Sequence, residues 1–297
     1  MQVSRRDFLR YCGLSAATIG LSAVELGRLE SVLANPSAPS VVWLQGSGCT
    51  GCSVSFLNRI ATTEPTSAGD LLINHINLAY HPNIMSVPGE SAVEVVGDVY
   101  QRGNYILAVE GGVPTAYGGA TCIAWSYNGQ EVTFQQAVRD LSARAAKIVC
   151  VGTCAAWGGM AAAPPNPTAV KGVSAVTGRK TINIAGCPPH PDWIFWAVAQ
   201  LLIGASPSLD SYSRPTAIYG RTVHSQCPRR ETEEAETWGV DRRCLEELGC
   251  QGPVTRGNCP SVLWNNRANW CCDANALCIR CTEPTFPGTQ FTREVDD

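Results

Sequence analysis

The chain has 297 residues, of which 45% are hydrophobic, enough to bury a sizeable core as one large or two modest domains. A formal net charge of -3 and a pI near 5.8 leave no basic footprint, which excludes nucleic acid as a natural partner. The 15 cysteines call for disulfides or metal, and the route by which the protein reaches its compartment decides between them.

Ser4-Arg5-Arg6-Asp7-Phe8-Leu9 precedes a weakly apolar run from Gly13 to Leu26 and then the small-residue segment Ser31-Val32-Leu33-Ala34. This reads as a twin-arginine signal peptide over residues 1–34, too short and too rich in small residues to span a membrane. Cys12 lies ahead of the apolar run and leaves with the peptide. The twin-arginine route carries proteins already folded around a cofactor, so metal can occupy the thiols before they meet an oxidising space, and the weight falls on metal rather than disulfides. No later apolar stretch approaches a membrane-spanning length, so a periplasmic protein without a transmembrane anchor is expected.

Residues 38–205 alternate short apolar strands with helical segments. Val41 to Leu44, Ile76 to Tyr80, Tyr105 to Val109, Lys147 to Val151 and Thr181 to Ala185 read as strands; Ser91 to Arg102, Phe134 to Ala146 and Asp192 to Ile203 read as helices. The alternation predicts a parallel sheet with helices on both faces, and in such sheets ligands collect beyond the carboxyl ends of the strands. Cys49 and Cys52, in Gly46-Ser47-Gly48-Cys49-Thr50-Gly51-Cys52, leave the first strand; Glu110 follows the third, Cys154 the fourth and Cys187 the last. Four thiols thus converge on one edge, a set that suits a cubane iron-sulfur cluster. Glu110 reads either as a relay group beside that cluster or as a carboxylate bracing a loop. Cys150 lies within a strand run as a small buried hydrophobe, and Cys122 reads as packing. His75, His81 and His190 lack partners at ligand spacing. Residues 161–172 read as a surface loop.

From 206 to 297 the apolar periodicity fades and cysteines crowd together, so the segment needs staples. His224 and Cys227 share one turn, with Cys244 and Cys250 following, a set that zinc could also use. Cys278 and Cys281 form a second Cys-x-x-Cys pair, with Cys259 as a third ligand and one of the adjacent Cys271 and Cys272 as a fourth. The run Glu231, Glu233, Glu234 and Glu236 beside Arg229-Arg230 reads as a solvated face.

Taken together, Gly48-Cys49-Thr50-Gly51-Cys52-Ser53, Val151-Gly152-Thr153-Cys154, Gly186-Cys187-Pro188-Pro189-His190-Pro191-Asp192-Trp193, His224-x-x-Cys227, Leu248-Gly249-Cys250-x-Gly252-Pro253 and Cys278-x-x-Cys281-x-Glu283-Pro284 resemble the small subunit of nickel-iron hydrogenases. The resemblance covers nearly the whole chain. It implies a flavodoxin-like domain followed by a small, irregular cluster-binding domain. It implies a proximal four-iron four-sulfur cluster on Cys49, Cys52, Cys154 and Cys187, a distal one on His224, Cys227, Cys244 and Cys250, and a medial one on Cys259, Cys278 and Cys281. Many members carry proline after the tryptophan and hold only a three-iron medial cluster. This chain has Cys271 there, which points to a third four-iron cluster, as in the nickel-iron-selenium branch that the Cys52-Ser53-Val54-Ser55 continuation also resembles; without Cys271 as ligand the medial cluster is 3Fe-4S. Cys122, Cys150 and Cys272 then remain without a cluster. Arg280 stands where the family usually has glycine, and its charge would raise the medial potential.

What the resemblance implies for function is an electron wire in a heterodimeric uptake hydrogenase. Dihydrogen is split at the nickel-iron site of a large subunit, and electrons leave through the proximal, medial and distal clusters to a periplasmic acceptor such as a multihaem cytochrome c. This chain itself holds no catalytic residue, and the neutral His224 ligand makes the distal cluster less negative and easier to reduce. The alternative is an exported iron-sulfur carrier working without a hydrogenase partner.

Overall fold

The computed structural model describes residues 40–61, 66–74, 77–239 and 242–288. The expected signal peptide, Cys12 and His75 lie outside the described residues.

Strand β1 (Val41–Gln45) leads through helices α1 (Gly51–Leu57) and α2 (Ala68–Asn74) to β2 (Leu78–Tyr80). Helix α3 (Gly89–Arg102) and β3 (Ile106–Glu110) follow, then a hairpin of β4 (Ile123–Tyr127) and β5 (Gln130–Thr133), and helix α4 (Phe134–Arg144). Next come β6 (Lys147–Val151), α5 (Thr153–Trp157), α6 (Val173–Thr177), β7 (Ile182–Ile184) and α7 (Pro191–Leu202). Five strands form one parallel sheet in the order β2-β1-β3-β6-β7. Counting those strands alone, the order is 2-1-3-4-5, the flavodoxin-like arrangement, with its switch point between β1 and β3. The expected α/β class and strand positions agree with this sheet. The β4–β5 hairpin is an addition on which sequence periodicity is silent.

The strands are buried on both faces, and their side chains divide by the period of two. Val41, Trp43, Ile106, Ala108, Val149 and Val151 face α7, whose Trp193, Ile194 and Ala197 complete that layer. Val42, Leu44, Leu107, Val109, Ile148 and Cys150 face α3 and α4, including Val96, Phe134, Val138 and Leu141. Cys150 is fully buried in this second layer, where loss of water pushes its thiol up to about 12. Cys122 packs at the margin of the same layer. Both are the packing cysteines that the sequence predicts.

Beyond α7 regular structure is sparse: α8 (Thr216–Tyr219), a 3-10 turn at His224–Gln226 and α9 (Cys259–Val262). The α7 layer runs on without a break into Tyr219, Leu245, Cys259, Trp270, Cys272 and Cys278. Ion pairs lock the seam. Arg214, wholly buried, donates to Asp210 and Glu283, each at 2.8 Å, and to the Thr282 carbonyl at 2.9 Å. Asp192, at the start of α7, accepts from Arg59 at 3.2 Å and Arg267 at 3.0 Å. Glu231, Glu233, Glu234 and Glu236 are exposed as expected, whereas Arg229 is buried and donates to Asn275 Oδ1 at 2.9 Å.

Candidate functional site

Register fixes the geometry of the first group. Gln45 pairs with Glu110, Glu110 with Val151, and Val151 with Ile184, so the four strands end on one line. The turns that leave this line carry Cys49, Cys52, Cys154 and Cys187. Burial raises the Cys52 thiol well above its ordinary range, and charge on Glu110, Cys154, Cys187 and Cys49 adds to the shift. Cys187 is pushed up to about 11 by burial, with Cys154 and Cys49 contributing. Four thiols this close cannot all ionise by themselves, since each thiolate disfavours the next; a polynuclear cation core removes that repulsion by replacing the protons.

The pocket is shaped for sulfur on a bulky group. A Cβ on Gly152 would stand 2.5 Å from Cys52 Sγ, one on Gly51 3.0 Å from Cys49 Sγ, and one on Gly159 3.0 Å from Cys154 Sγ. Burial raises the Cys154 thiol, and the nearby main-chain amides of Ala161 and Met160 partly offset the rise. The donor set and the glycine cradle fit a four-thiolate cluster.

Glu110 braces this turn. Its Oε1 accepts from the Cys52 and Ser53 amides, each at 3.1 Å, at the first turn of α1. Its Oε2 accepts from Trp43 Nε1 at 3.0 Å and from the Ser53 hydroxyl. Thr50, the residue just before α1, has φ of 65° and supplies no side-chain cap, so the carboxylate from β3 does the capping. His81 completes the network. Its Nδ1 accepts from the Asn83 amide at 3.2 Å, which places the proton on Nε2, 3.1 Å from Ser53 Oγ. Burial lowers His81 to about 4. His190 is satisfied too: Nδ1 accepts from the Asp192 amide and Nε2 donates to the Leu263 carbonyl at 2.6 Å.

A second group holds Cys259, Cys271, Cys278 and Cys281. Cys281 is raised by burial and then by Cys259, Cys278 and Cys271; Cys259 is pushed up to about 12 by burial, Cys278 and Cys271. Cys271 is the exposed member. The Arg280 backbone adopts φ of 65°, a left-handed conformation that costs a non-glycine residue about 1–2 kcal/mol. That geometry gives a physical reason for glycine at this point of a Cys-x-x-Cys turn.

The third group lines one cavity with His224, Cys227, Cys244, Cys250 and, unanticipated, Cys272. His224, Cys244 and Glu246 place one donor atom each within 4.8 Å of one another, and Glu246 Oε2 lies 3.7 Å from His224 Nδ1. Cys227 is lowered to about 7 and Cys250 to about 6, in each case chiefly by the neighbouring Cys272 thiol, whose Sγ lies 3.8 Å from Cys250 Sγ. Glu246 and Cys272 are the residues that sequence reasoning missed. The spacing Cys244-x-Glu246 was a weak cue, and the Cys271-Cys272 pair is resolved by the turn: one side chain faces the second group, the other the third.

The three groups stand in file. Thr153 Oγ1, which accepts from the Gly186 amide at 2.9 Å, donates to the Cys281 carbonyl. At the other end the Gln251 amide donates to the Cys278 carbonyl at 2.9 Å.

A family model described as NADH ubiquinone oxidoreductase, 20 Kd subunit, matches residues 49–201, and one described as the C-terminal part of the NiFe/NiFeSe hydrogenase small subunit matches residues 219–292. The periplasmic [NiFe] hydrogenase small subunit of Solidesulfovibrio fructosivorans is 40% identical, covering 96% of this chain and 90% of the relative. The chain belongs to the nickel-iron hydrogenase small-subunit family. The periplasmic [NiFeSe] hydrogenase small subunit of Desulfomicrobium baculatum is 37% identical over 97% of each chain. A solved [NiFeSe] hydrogenase from Desulfovibrio vulgaris Hildenborough superposes with a TM-score of 0.79 at 37% identity, covering 86% of this chain and 96% of that one. As a hydrogenase small subunit the chain is an iron-sulfur electron-transfer protein that pairs with a large subunit, and the hydrogen-splitting site is on that partner. Among the described residues no helix is long and apolar enough to cross a membrane.

Proposed function

We propose that this small subunit relays electrons from hydrogen oxidation through three 4Fe-4S clusters to a periplasmic acceptor such as a multihaem cytochrome c, after export by the twin-arginine route. In this reading Cys49, Cys52, Cys154 and Cys187 hold the proximal cluster, Cys259, Cys271, Cys278 and Cys281 the medial one, and His224, Cys227, Cys244 and Cys250 the distal one. The clusters, when bound, supply reversible one-electron acceptors. The observation that carries the reading is the file itself, with Thr153 hydrogen-bonded to the Cys281 carbonyl at one junction and the Gln251 amide to the Cys278 carbonyl at the other.

The protein's own part is to hold, insulate and bias. The Arg229 N–H donates to Cys227 Sγ at 3.4 Å and stabilises negative charge on that sulfur. Exposed Cys49 lies in the turn that opens α1, and Val54 and Leu57 of that helix and Ile60 just beyond it are exposed apolar residues; together they suit an interface with the large partner at the entry, and they speak against a carrier that works alone. At the other end the exposed carboxylates Glu234 and Glu246 surround His224 and favour a positively charged acceptor.

Replacing His224 with alanine in the heterodimer tests the direction of the wire. Electron delivery to an external acceptor is expected to fall roughly tenfold or more, with hydrogen-deuterium exchange at the nickel site retained. Equal loss of both activities would contradict an exit at His224.

A further inference from the structure

Cys272 is 3% exposed and its Sγ lies 3.8 Å from Cys250 Sγ. It lines the same cavity as His224 and Cys244. The turn that presents it is fixed by its own backbone: the Trp270, Cys271 and Cys272 carbonyls accept from the amides of Ala274, Ala276 and Asn275 at 2.9, 2.9 and 3.0 Å. Cys272 is therefore a buried sulfur held against the distal ligand Cys250, while its neighbour Cys271 serves the medial group.

Chemistry assigns the roles in this contact. A thiolate bound to iron has no proton and can only accept a hydrogen bond, whereas an ordinary thiol keeps its proton at neutral pH and is a donor. We infer that Cys272 is a tuning and positioning residue of the distal centre, a fourth cysteine sulfur whose S–H donates to the Cys250 sulfur and raises the reduction potential of that centre. The inference rests on the reading of His224, Cys227, Cys244 and Cys250 as distal ligands. The reduced centre carries one electron more than the oxidised one, so a donor aimed at its sulfurs stabilises the reduced form more. Its action adds to that of the neutral His224, and both favour collecting electrons at the end of the wire. One proton aimed at one ligand sulfur gives an expected effect on the order of tenfold in the one-electron reduction equilibrium, about 59 mV.

The test is a redox titration of the anaerobic heterodimer followed by electron paramagnetic resonance, with iron quantified, for the unsubstituted protein, Cys272→Ala and Cys272→Ser. The expected result is unchanged iron in all three, a distal potential lower in Cys272→Ala by about that amount, and a smaller shift in Cys272→Ser, whose hydroxyl still donates. A distal potential in Cys272→Ala equal to that of the unsubstituted protein overturns the inference. Loss of about four irons and of the distal signal in Cys272→Ala also overturns it, because Cys272 would then be a ligand. An unsubstituted heterodimer without a distal signal would remove the ligand reading itself, a failure visible before any variant is made.

Discussion

Glu110→Gln is the substitution whose cost follows most directly from the geometry. The carboxylate is 1% exposed and receives four donors: the amides of Cys52 and Ser53, the Trp43 indole and the Ser53 hydroxyl. A carboxamide has a single acceptor oxygen. If that oxygen stays on the two amides, its NH2 group meets the Trp43 N–H donor to donor. The Ser53 hydroxyl, already receiving the His81 Nε2 proton, then loses the acceptor for its own. A hydrogen bond to a charged group contributes about 1.5–3 kcal/mol, and a buried donor left without a partner costs about 1–3 kcal/mol. The sum, about 2.5–6 kcal/mol, falls on the first turn of α1, which carries Cys52 and follows Cys49. At about 1.4 kcal/mol per decade, the α1 amides in the Glu110→Gln heterodimer should exchange hydrogen about 10²–10⁴ times faster than in the unsubstituted protein. Hydrogen exchange read on the peptide spanning residues 46–58 checks this. Unchanged protection of that peptide would refute the bracing role.

Gly152→Ala would set a Cβ 2.5 Å from Cys52 Sγ on a backbone with φ of 94°, so the heterodimer should lack about four irons and the proximal signal; full iron content would show that the cradle is not where the proximal cluster sits. Cys271→Pro should convert the medial centre to a three-iron cluster with a new paramagnetic signal in the oxidised state, and an unchanged spectrum would rule Cys271 out as a ligand. His81 predicts acid sensitivity. Its folded pKa of about 4 lies below the ordinary 6.5, so the stability it contributes is present above pH 6.5 and is lost as pH falls towards 4, by about 3 kcal/mol in all. In His81→Gln this part of the pH dependence should disappear, so the stability gap between the two proteins should change between pH 7 and 5; a constant gap would show that His81 does not titrate on unfolding.

The parallel sheet was legible because its strands are buried on both faces and read as apolar runs, and because strand ends carry the cysteines. The hairpin was less so: Ile123 and Tyr127 are partly exposed, so no inward-outward alternation marks β4, although Asn128-Gly129, both with positive φ, is a two-residue turn signal that the sequence did contain. Helix α1 could not be read locally, since its cap comes from Glu110, more than fifty residues on. The segment 161–172, expected as a surface loop, is tied down: Val113 and Lys171 exchange main-chain hydrogen bonds and Val170 is buried. Which of two adjacent cysteines faces which group depends on a turn of irregular backbone, and no periodicity encodes that. The role of Cys272 was invisible for the same reason.

The most direct test of the wire is the metal content of the complex purified anaerobically from its native host through a tag on this chain. Three four-iron clusters and the iron beside nickel predict about thirteen irons per nickel, with a large partner in the same eluate. About twelve irons would mean a three-iron medial centre and would remove Cys271 from the ligands. Iron without nickel or a large partner would contradict the hydrogenase wire and leave an electron carrier.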